Sequence, residues 1–419
     1  MLTILHPNVL ASVLEFPGGL LPARLNETGK LLLILKVPKE YILAARMNGG
    51  FSFYLAPLPS TSGLTVALAT AFFDDSDEPL VVRTPLFNEP LGNDLLELLT
   101  YDEFDIHFFD EHGREWMSHR ASVQDEGSLL ATGEEFGLLT YHPQTVNSMY
   151  EALDTWFGYR TAEDDAKAIK IAFKEELSPS DIFILNARHE DHDYHGSGGF
   201  SRSTLERENP GYFQERDIVS GLKRAFRGEQ LALNPMRRDN GKEFVDVLAV
   251  NQTHLLLVQA KDSPNTQVSL SRTLDRKRRT SHSQIEKGVK QAKGAAAYVR
   301  GHPNLELSID KNDFDIEVGG KRIVSLVIVQ EMFTDERDSF VARYREMEES
   351  GDVFVMLDYA AFNSFCHEFP DEQQLLSALA DYSAKILAKG FWIDPRTYVL
   401  EFIQERLSKL QQLSTSTQL

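Results

Sequence analysis

The sequence predicts an α/β protein. A C-terminal core has a central mixed sheet flanked by helices, an N-terminal domain is β-rich, and a helical connector joins them. Three observations lead there. Residues 242–261 hold two apolar runs separated by the polar turn Asn251, Gln252, Thr253, the pattern of a β-hairpin. Helical apolar stripes flank that hairpin, at 212–226 and again after Ser283. The first 140 residues instead alternate short aliphatic and aromatic runs with Gly-, Pro- and Asp-rich turns. With 419 residues the chain can bury more than one core. The expected divisions are a β-rich accessory or sensor domain over 1–140, a helical connector with a mobile His-rich loop over 141–200, a core over 201–360, and C-terminal helices packed on that core over 361–419.

Taken in order, strands are expected at 30–37, 51–55, 64–73 and 104–109, with a short helix at 93–99. The acidic run 74–78 reads as an exposed turn. Residues 143–159 form a helix whose stripe is Val146, Met149, Tyr150, Leu153, Trp156 and Phe157. A second helix is expected from Thr161, with Asp164 as its capping-box acid, to about residue 177, where Ser178 and Pro179 stop it. His189, His192 and His195 fall in a polar, glycine-ended stretch that reads as a mobile loop more readily than as a transition-metal site. On the 212–226 helix, Glu215 lies three residues before Ile218 and so on the inward side. A strand follows at 231–236. Residues 263–281 are polar and basic, and Ser283 with Glu286 reads as the capping box of the next helix, with Ile285, Val289, Ala292, Ala296 and Val299 inward. Strands at 323–330 and 353–357 and helices at 360–369, 371–389 and 397–413 close the chain, with a polar tail over 414–419.

The net charge of −20 argues against polyanion binding over the whole surface. Its distribution is uneven. Residues 201–301 carry 19 basic and 11 acidic side chains, a net of +8, against 24 basic and 52 acidic elsewhere. A basic island in an acidic chain points to a local polyanion site. No stretch approaches the roughly 20 apolar residues of a membrane span. The start of the chain lacks the basic and apolar segments of a signal peptide. The one cysteine, Cys366, rules out an intrachain disulfide and a Cys-rich zinc site. A cytoplasmic protein is expected.

The hairpin carries the chemistry. Alternation places Phe244, Asp246, Leu248 and Val250 on one face of the first strand, and Gln259 and Lys261 together on the second. A carboxylate, an amide and an ammonium can meet at one sheet end, a set suited to a metal ion, a water and a phosphate. Asp246 precedes Gln259-Ala260-Lys261 by 13 residues. With the Glu215 helix before it and a Gln284- and Gln291-bearing helix after it, the region 205–335 resembles the PD-(D/E)XK nuclease superfamily, the restriction-endonuclease-like fold, in its Mrr-like Gln-x-Lys branch. Val245 stands where the name-giving proline would be. Gln259 is neutral, so the resemblance asks for another carboxylate, and Glu215 is the candidate.

The resemblance implies a nuclease that hydrolyses phosphodiester bonds in DNA with Mg²⁺ or Mn²⁺. Asp246, Gln259 and Glu215 would be the metal ligands, joined by the Ala260 carbonyl. Lys261 would orient or deprotonate the attacking water and offset charge in the transition state. Arg276, Lys277, Arg278 and Arg279 would form a flexible phosphate-gripping loop, with Gln284, Gln291 and Lys287 on the helix behind it. Arg237, Arg238, Lys223 and Arg224 would extend the track. A homodimer or homotetramer is expected, since cutting two strands takes two sites. The layout also looks like that of Shedu-type anti-phage nucleases, in which the N-terminal half would sense, restrain or assemble. The alternatives are an RNA nuclease, a catalytically inactive nucleic-acid-binding or scaffold protein on this fold, and an unrelated α/β domain in which Asp246 and Lys261 are a strand-end ion pair.

Overall fold

The aliphatic and aromatic runs of the first half of the chain assemble into one mixed sheet of eight strands. The computed structural model describes residues 1–416 apart from 61–62, 76–77, 134, 181, 311, 334–336 and 349–350. Part of the expected 74–78 turn and the last three residues of the expected tail thus lie outside the described residues. The chain divides into two compact units, one comprising 1–182, 265–271 and 400–419, the other 183–264 and 272–399.

The first unit opens with α1 (Leu2–Leu5), α2 (Asn8–Glu15), β1 (Gly19–Arg24), β2 (Leu31–Lys36) and α3 (Lys39–Asn48). It continues with β3 (Gly50–Ser60), β4 (Gly63–Phe72), β5 (Leu80–Pro85), α4 (Pro90–Leu98), β6 (Glu103–Phe109) and β7 (Glu115–Gln124). Then come α5 (Leu129–Thr132), α6 (Pro143–Gly158), α7 (Ala162–Ala166) and β8 (Ile169–Ser178). The strand order is β1-β2-β6-β7-β8-β3-β4-β5. Burial is two-sided, as the unbroken buried run of β2 shows. A buried carboxylate shapes the β6–β7 turn. Asp110 accepts from the backbone N–H of His112 and Arg114 (2.9 and 3.0 Å), from Arg114 Nε (2.7 Å) and from Trp116 Nε1 (2.9 Å), which compensates the loss of water.

Four expected strands in this half are present, but one expected helix is not. The capping box of Thr161 and Asp164 starts α7, which ends after five residues, and 169–178 is strand β8. Ala166, Ile169, Ala172 and Phe173 fit a helical stripe, but Ile169 and Ile171, either side of exposed Lys170, fit a strand as well. The strand period wins because β7 and β3 each offer β8 an edge.

The second unit begins with β9 (Phe183–Asn186) and β10 (Ser201–Thr204), a two-stranded ribbon. Next are α8 (Pro210–Leu222), β11 (Leu231–Leu233), β12 (Met236–Arg237), β13 (Val247–Val250) and β14 (His254–Lys261). The short α9 (Gln267–Leu270) belongs to the first unit. Then follow α10 (Leu274–Gly301), β15 (Asn304–Ile309), β16 (Asn312–Glu317), β17 (Arg322–Val329), α11 (Arg337–Glu348) and β18 (Val353–Asp358). The chain ends with α12 (Tyr359–Glu368), α13 (Glu372–Lys389) and α14 (Pro395–Ser416), the last assigned to the first unit from Leu400 onward.

The main sheet of this unit runs β11-β13-β14-β17-β18. The β13–β14 hairpin is antiparallel, while β14–β17 and β17–β18 are parallel. Helix α10 makes the crossover from β14 to β17, as parallel pairing requires. All five residues of its expected stripe are buried, and Ala296 and Val299 share a core with Leu255, Leu257, Phe244 and Val245. A Cβ on Gly288 would sit 2.6 Å from Val327 Cγ1 and 3.6 Å from Lys261 Cγ, so that glycine sets how closely α10 approaches β17 and the end of β14.

Three other expectations are corrected. Residues 274–281 are not a loop: α10 already begins at Leu274, and Ser283 and Glu286 lie inside it. Arg276, Lys277, Arg278 and Arg279 therefore occupy helical turns, where all four side chains suit the helix. The stretch 186–199 is built into the second unit. His192 Nε2 bonds Asn186 O at 2.9 Å, and the His195 backbone pairs with Leu231 and Leu233 at 3.0 Å. The hairpin β15–β16 was not expected, because its outward residues (Glu306, Asp313, Asp315) make it read as a polar connection.

Gly288→Ala is expected to lower stability by about 1–2 kcal/mol in a urea melt, overpacking against stiff Val327 outweighing alanine's better helix propensity. An unchanged midpoint would show that α10 does not seat on β17 through this contact.

Candidate active site

Asp246 stands one residue before β13, level with Gln259 in the register that pairs Val247 with Val258. Its Oδ2 accepts the Ala260 backbone N–H at 2.6 Å and Lys261 Nζ at 3.1 Å. Lys261 Nζ also donates to the Ala260 carbonyl at 2.6 Å. Asp246 is 7% exposed and Gln259 3%, so both lie on the floor of the site. Alternation along β14 puts Gln259 and Lys261 on the side of Leu255 and Leu257, the side α10 covers. The structure thus brings Asp246, Gln259 and Lys261 to one sheet end.

Glu215 reaches the same region from α8 but is held by another residue. Its Oε2 accepts from Asn234 Nδ2 at 2.9 Å. Asn234 follows β11 in a left-handed conformation, with φ of 50°, which asparagine tolerates better than most side chains. Its backbone N–H donates to the Asp246 carbonyl at 3.0 Å, and its Oδ1 is buried with no protein partner. Asn234 therefore ties α8 to the start of β13. Burial raises the pKa of Glu215; the Asn234 hydrogen bond opposes this, and the charge of Asp246 reinforces it.

The acid beside Asp246 is one the sequence reading passed over. Glu243 lines the same cleft as Asp246, and its carboxyl is pushed up to about 7. Screening from water by the surrounding protein is the main cause, followed by the charge of Asp246. As a whole residue Glu243 is exposed. Strict alternation separates residues three apart onto opposite faces. Here it fails, because β13 begins only at Val247. The preceding segment is bent by a turn in which Gly241, at φ 66°, donates to the Arg237 carbonyl. Asp239, Asn240 and Gly241, a turn signal, marked where alternation stops.

Over this floor opens a cleft of about 240 Å³. Its floor is Glu243, Asp246 and Gln259, and its walls include Arg237 together with Gln291, Gly294 and Tyr298 of α10. Of the two helix glutamines, only Gln291 lines it. Gln284 donates to Asp262 O at 2.9 Å and to Ser263 Oγ at 2.7 Å, and so braces the loop after Lys261.

The basic residues separate as clearly. Arg276, Arg279, Lys287 and Lys290 are exposed, and their spacing of three, eight and three residues puts them on one helix face leading toward Gln291 and Gly294. Lys277 and Arg278 are half-buried, and Arg278 lies over Phe333. Arg238 is paired with Glu306, Asp313 and Asp315 of β15–β16, and Lys223 with Asp193. Arg224 bonds Asn363 at 3.1 Å.

Among the described residues, no three His, Cys, Asp or Glu side chains are arranged together to hold a metal ion. That applies to His189, His192 and His195, and to the acids here. The donor set still fits a hard divalent cation in kind: two carboxylates, Asp246 and Glu243, line one cleft, and the buried Asn234 Oδ1 lacks a protein partner. No helix among the described residues is long and apolar enough to cross a membrane.

In comparisons with known proteins, no protein-family model matches the chain, and no curated protein and no solved structure matches it.

Between the ordinary carboxyl value of 4.5 and about 7, folded Glu243 keeps a proton that the unfolded chain has lost. Stability of the metal-free chain must therefore fall as pH rises through that window. Glu243→Gln should remove this fall, so that its urea midpoint gains on the wild type's between pH 5 and pH 8 in EDTA. Parallel midpoints at both pH values would show that the two carboxyls do not interact.

Proposed function

We propose that this chain is a metal-dependent nuclease whose active site is the cleft at the end of the β13–β14 hairpin. One observation carries the reading: Asp246, Glu243 and Gln259 line a single cleft, and Lys261 pairs with Asp246 at 3.1 Å, although they come from a bent segment and a strand. The element order supports it. Helix α8, strands β11, β13 and β14, helix α10 and strand β17 follow one another as in the PD-(D/E)XK nuclease core. The exposed cations of α10 support it too, as a track for phosphates beside the cleft.

In this reading Asp246 and Glu243 hold the cation, with the side-chain oxygen of Gln259, and Glu215 adds negative charge from one layer out. Mg²⁺ or Mn²⁺, when bound, supplies a Lewis acid that polarises the phosphate and acidifies a coordinated water. Glu243 restores the charge that Gln259 lacks. Lys261, paired with Asp246, brings a positive charge toward the phosphate. The Ala260 N–H and Lys261 fix the Asp246 carboxylate before substrate arrives, and the Asn234 N–H fixes the Asp246 backbone.

The test is incubation of plasmid, single-stranded DNA and RNA with the full chain and Mg²⁺ or Mn²⁺. Cleavage of at least one is expected, falling by about 100-fold or more in Asp246→Asn and in Lys261→Ala. Tight binding without cleavage in either metal would favour a scaffold on this fold. Wild-type-like cutting by either variant would sink the assignment.

Binding should weaken with salt through the α10 face. Replacing Arg276 and Arg279 together by Ala is expected to reduce the slope of log affinity against log salt by about 2. Replacing Lys277, which is half-buried, should change it less. Equal effects from both would place the phosphates elsewhere.

A further inference from the structure

One wall of the cleft is more ordered than phosphate hydrolysis requires. The guanidinium carbon of Arg237 lies 3.7 Å from the centroid of the Tyr298 ring. The His302 ring lies 4.0 Å from that same centroid. Two groups this close cannot share one face, so Tyr298 is sandwiched between Arg237 and His302. Asp239 then takes the edge of Arg237, with Nε at 3.1 Å and Nη2 at 2.5 Å. The guanidinium thus lies over the Tyr298 ring with its edge held by Asp239, and Arg237 lines the cleft. Facing the same space is Gly294 in the middle of α10. Glycine is the poorest helix residue after proline. Nothing in the protein calls for it here: it is exposed, and a Cβ would meet nothing within 4 Å. Gly288, by contrast, is required by Val327.

Building on the nuclease reading above, we propose that this part of the cleft takes one unpaired nucleotide of a polynucleotide strand. Its base stacks on Arg237 and passes over the bare backbone at Gly294, while its phosphate reaches the cation that Asp246 and Glu243 would hold. A planar cation held rigid is a stacking platform that accepts any base. The cleft, of about 240 Å³, has room for a base at this wall. A paired strand would have to extrude its nucleotide to reach the floor, at the cost of unstacking. The substrate class is therefore single-stranded nucleic acid, or a duplex at a frayed end, gap or mismatch.

The experiment uses the full chain carrying Asp246→Asn, and reads binding by fluorescence anisotropy with a labelled single-stranded DNA 20-mer and its duplex. The single strand should bind more tightly. Arg237→Lys, which keeps the charge and loses the plane, should weaken single-strand binding about tenfold, and Arg237→Ala at least as much. Gly294→Ala should also weaken it while leaving the melting temperature undiminished. Wild-type-like binding by Arg237→Lys or Gly294→Ala, or duplex bound as tightly as the single strand, would overturn the proposal. Cleavage by the wild-type chain is scored separately. Cutting with Arg237-independent binding rejects this proposal alone. Arg237-dependent binding without cutting rejects the nuclease reading alone.

Discussion

The carboxylate of Asp246 is the constraint on which the rest of the site depends. It leads into strand β13, receives a backbone N–H from the neighbouring strand, pairs with Lys261 and lines the cleft with Glu243. A carboxylate so little exposed needs each of these contacts, because water no longer supplies them. The same contacts fix where Lys261 points and draw the bent 242–246 segment against β14. Asn234 adds the third side by joining the backbone of Asp246 to Glu215 on α8. The site is thus a polar knot at a place where three elements would otherwise end independently.

Charge around the site is organised by cancellation as much as by accumulation. The local excess of basic residues suggested a broad track. In the fold, Arg238 is neutralised by the acidic β15–β16 hairpin and Lys223 by Asp193. The exposed face of α10 carries Arg276, Arg279, Lys287 and Lys290 toward the cleft mouth.

Much of this was legible in the sequence, and the failures have physical causes. The hairpin, the buried stripe of α10, and the meeting of Asp246, Gln259 and Lys261 all follow from periodicity, because burial on one side leaves a regular pattern. Glu243 was missed where regularity stops: a turn at 239–241 cancels the alternation that would have placed it on the other face. Strand β8 was read as helix because Ile169, Ala172 and Phe173 fit the helical period while Ile169, Ile171 and Phe173 fit the strand period, and only the partners β7 and β3 decide between them. The basic run at 276–279 was read as a loop on the strength of its polarity. Arg and Lys are good helix formers, and their exposed side chains need no apolar stripe of their own. The role of Asn234 left no periodic signal at all, since it depends on one left-handed residue.

The segment 265–271 belongs to the first unit although it lies between Lys261 and α10, and the same unit reclaims the chain from Leu400. The two units are therefore not cassettes in the genetic sense. A cut at 182/183 leaves the N-terminal piece without two of its parts and leaves the C-terminal piece carrying both. Only Asp262, Ser263 and Pro264 separate Lys261 from residues that fold with the other unit.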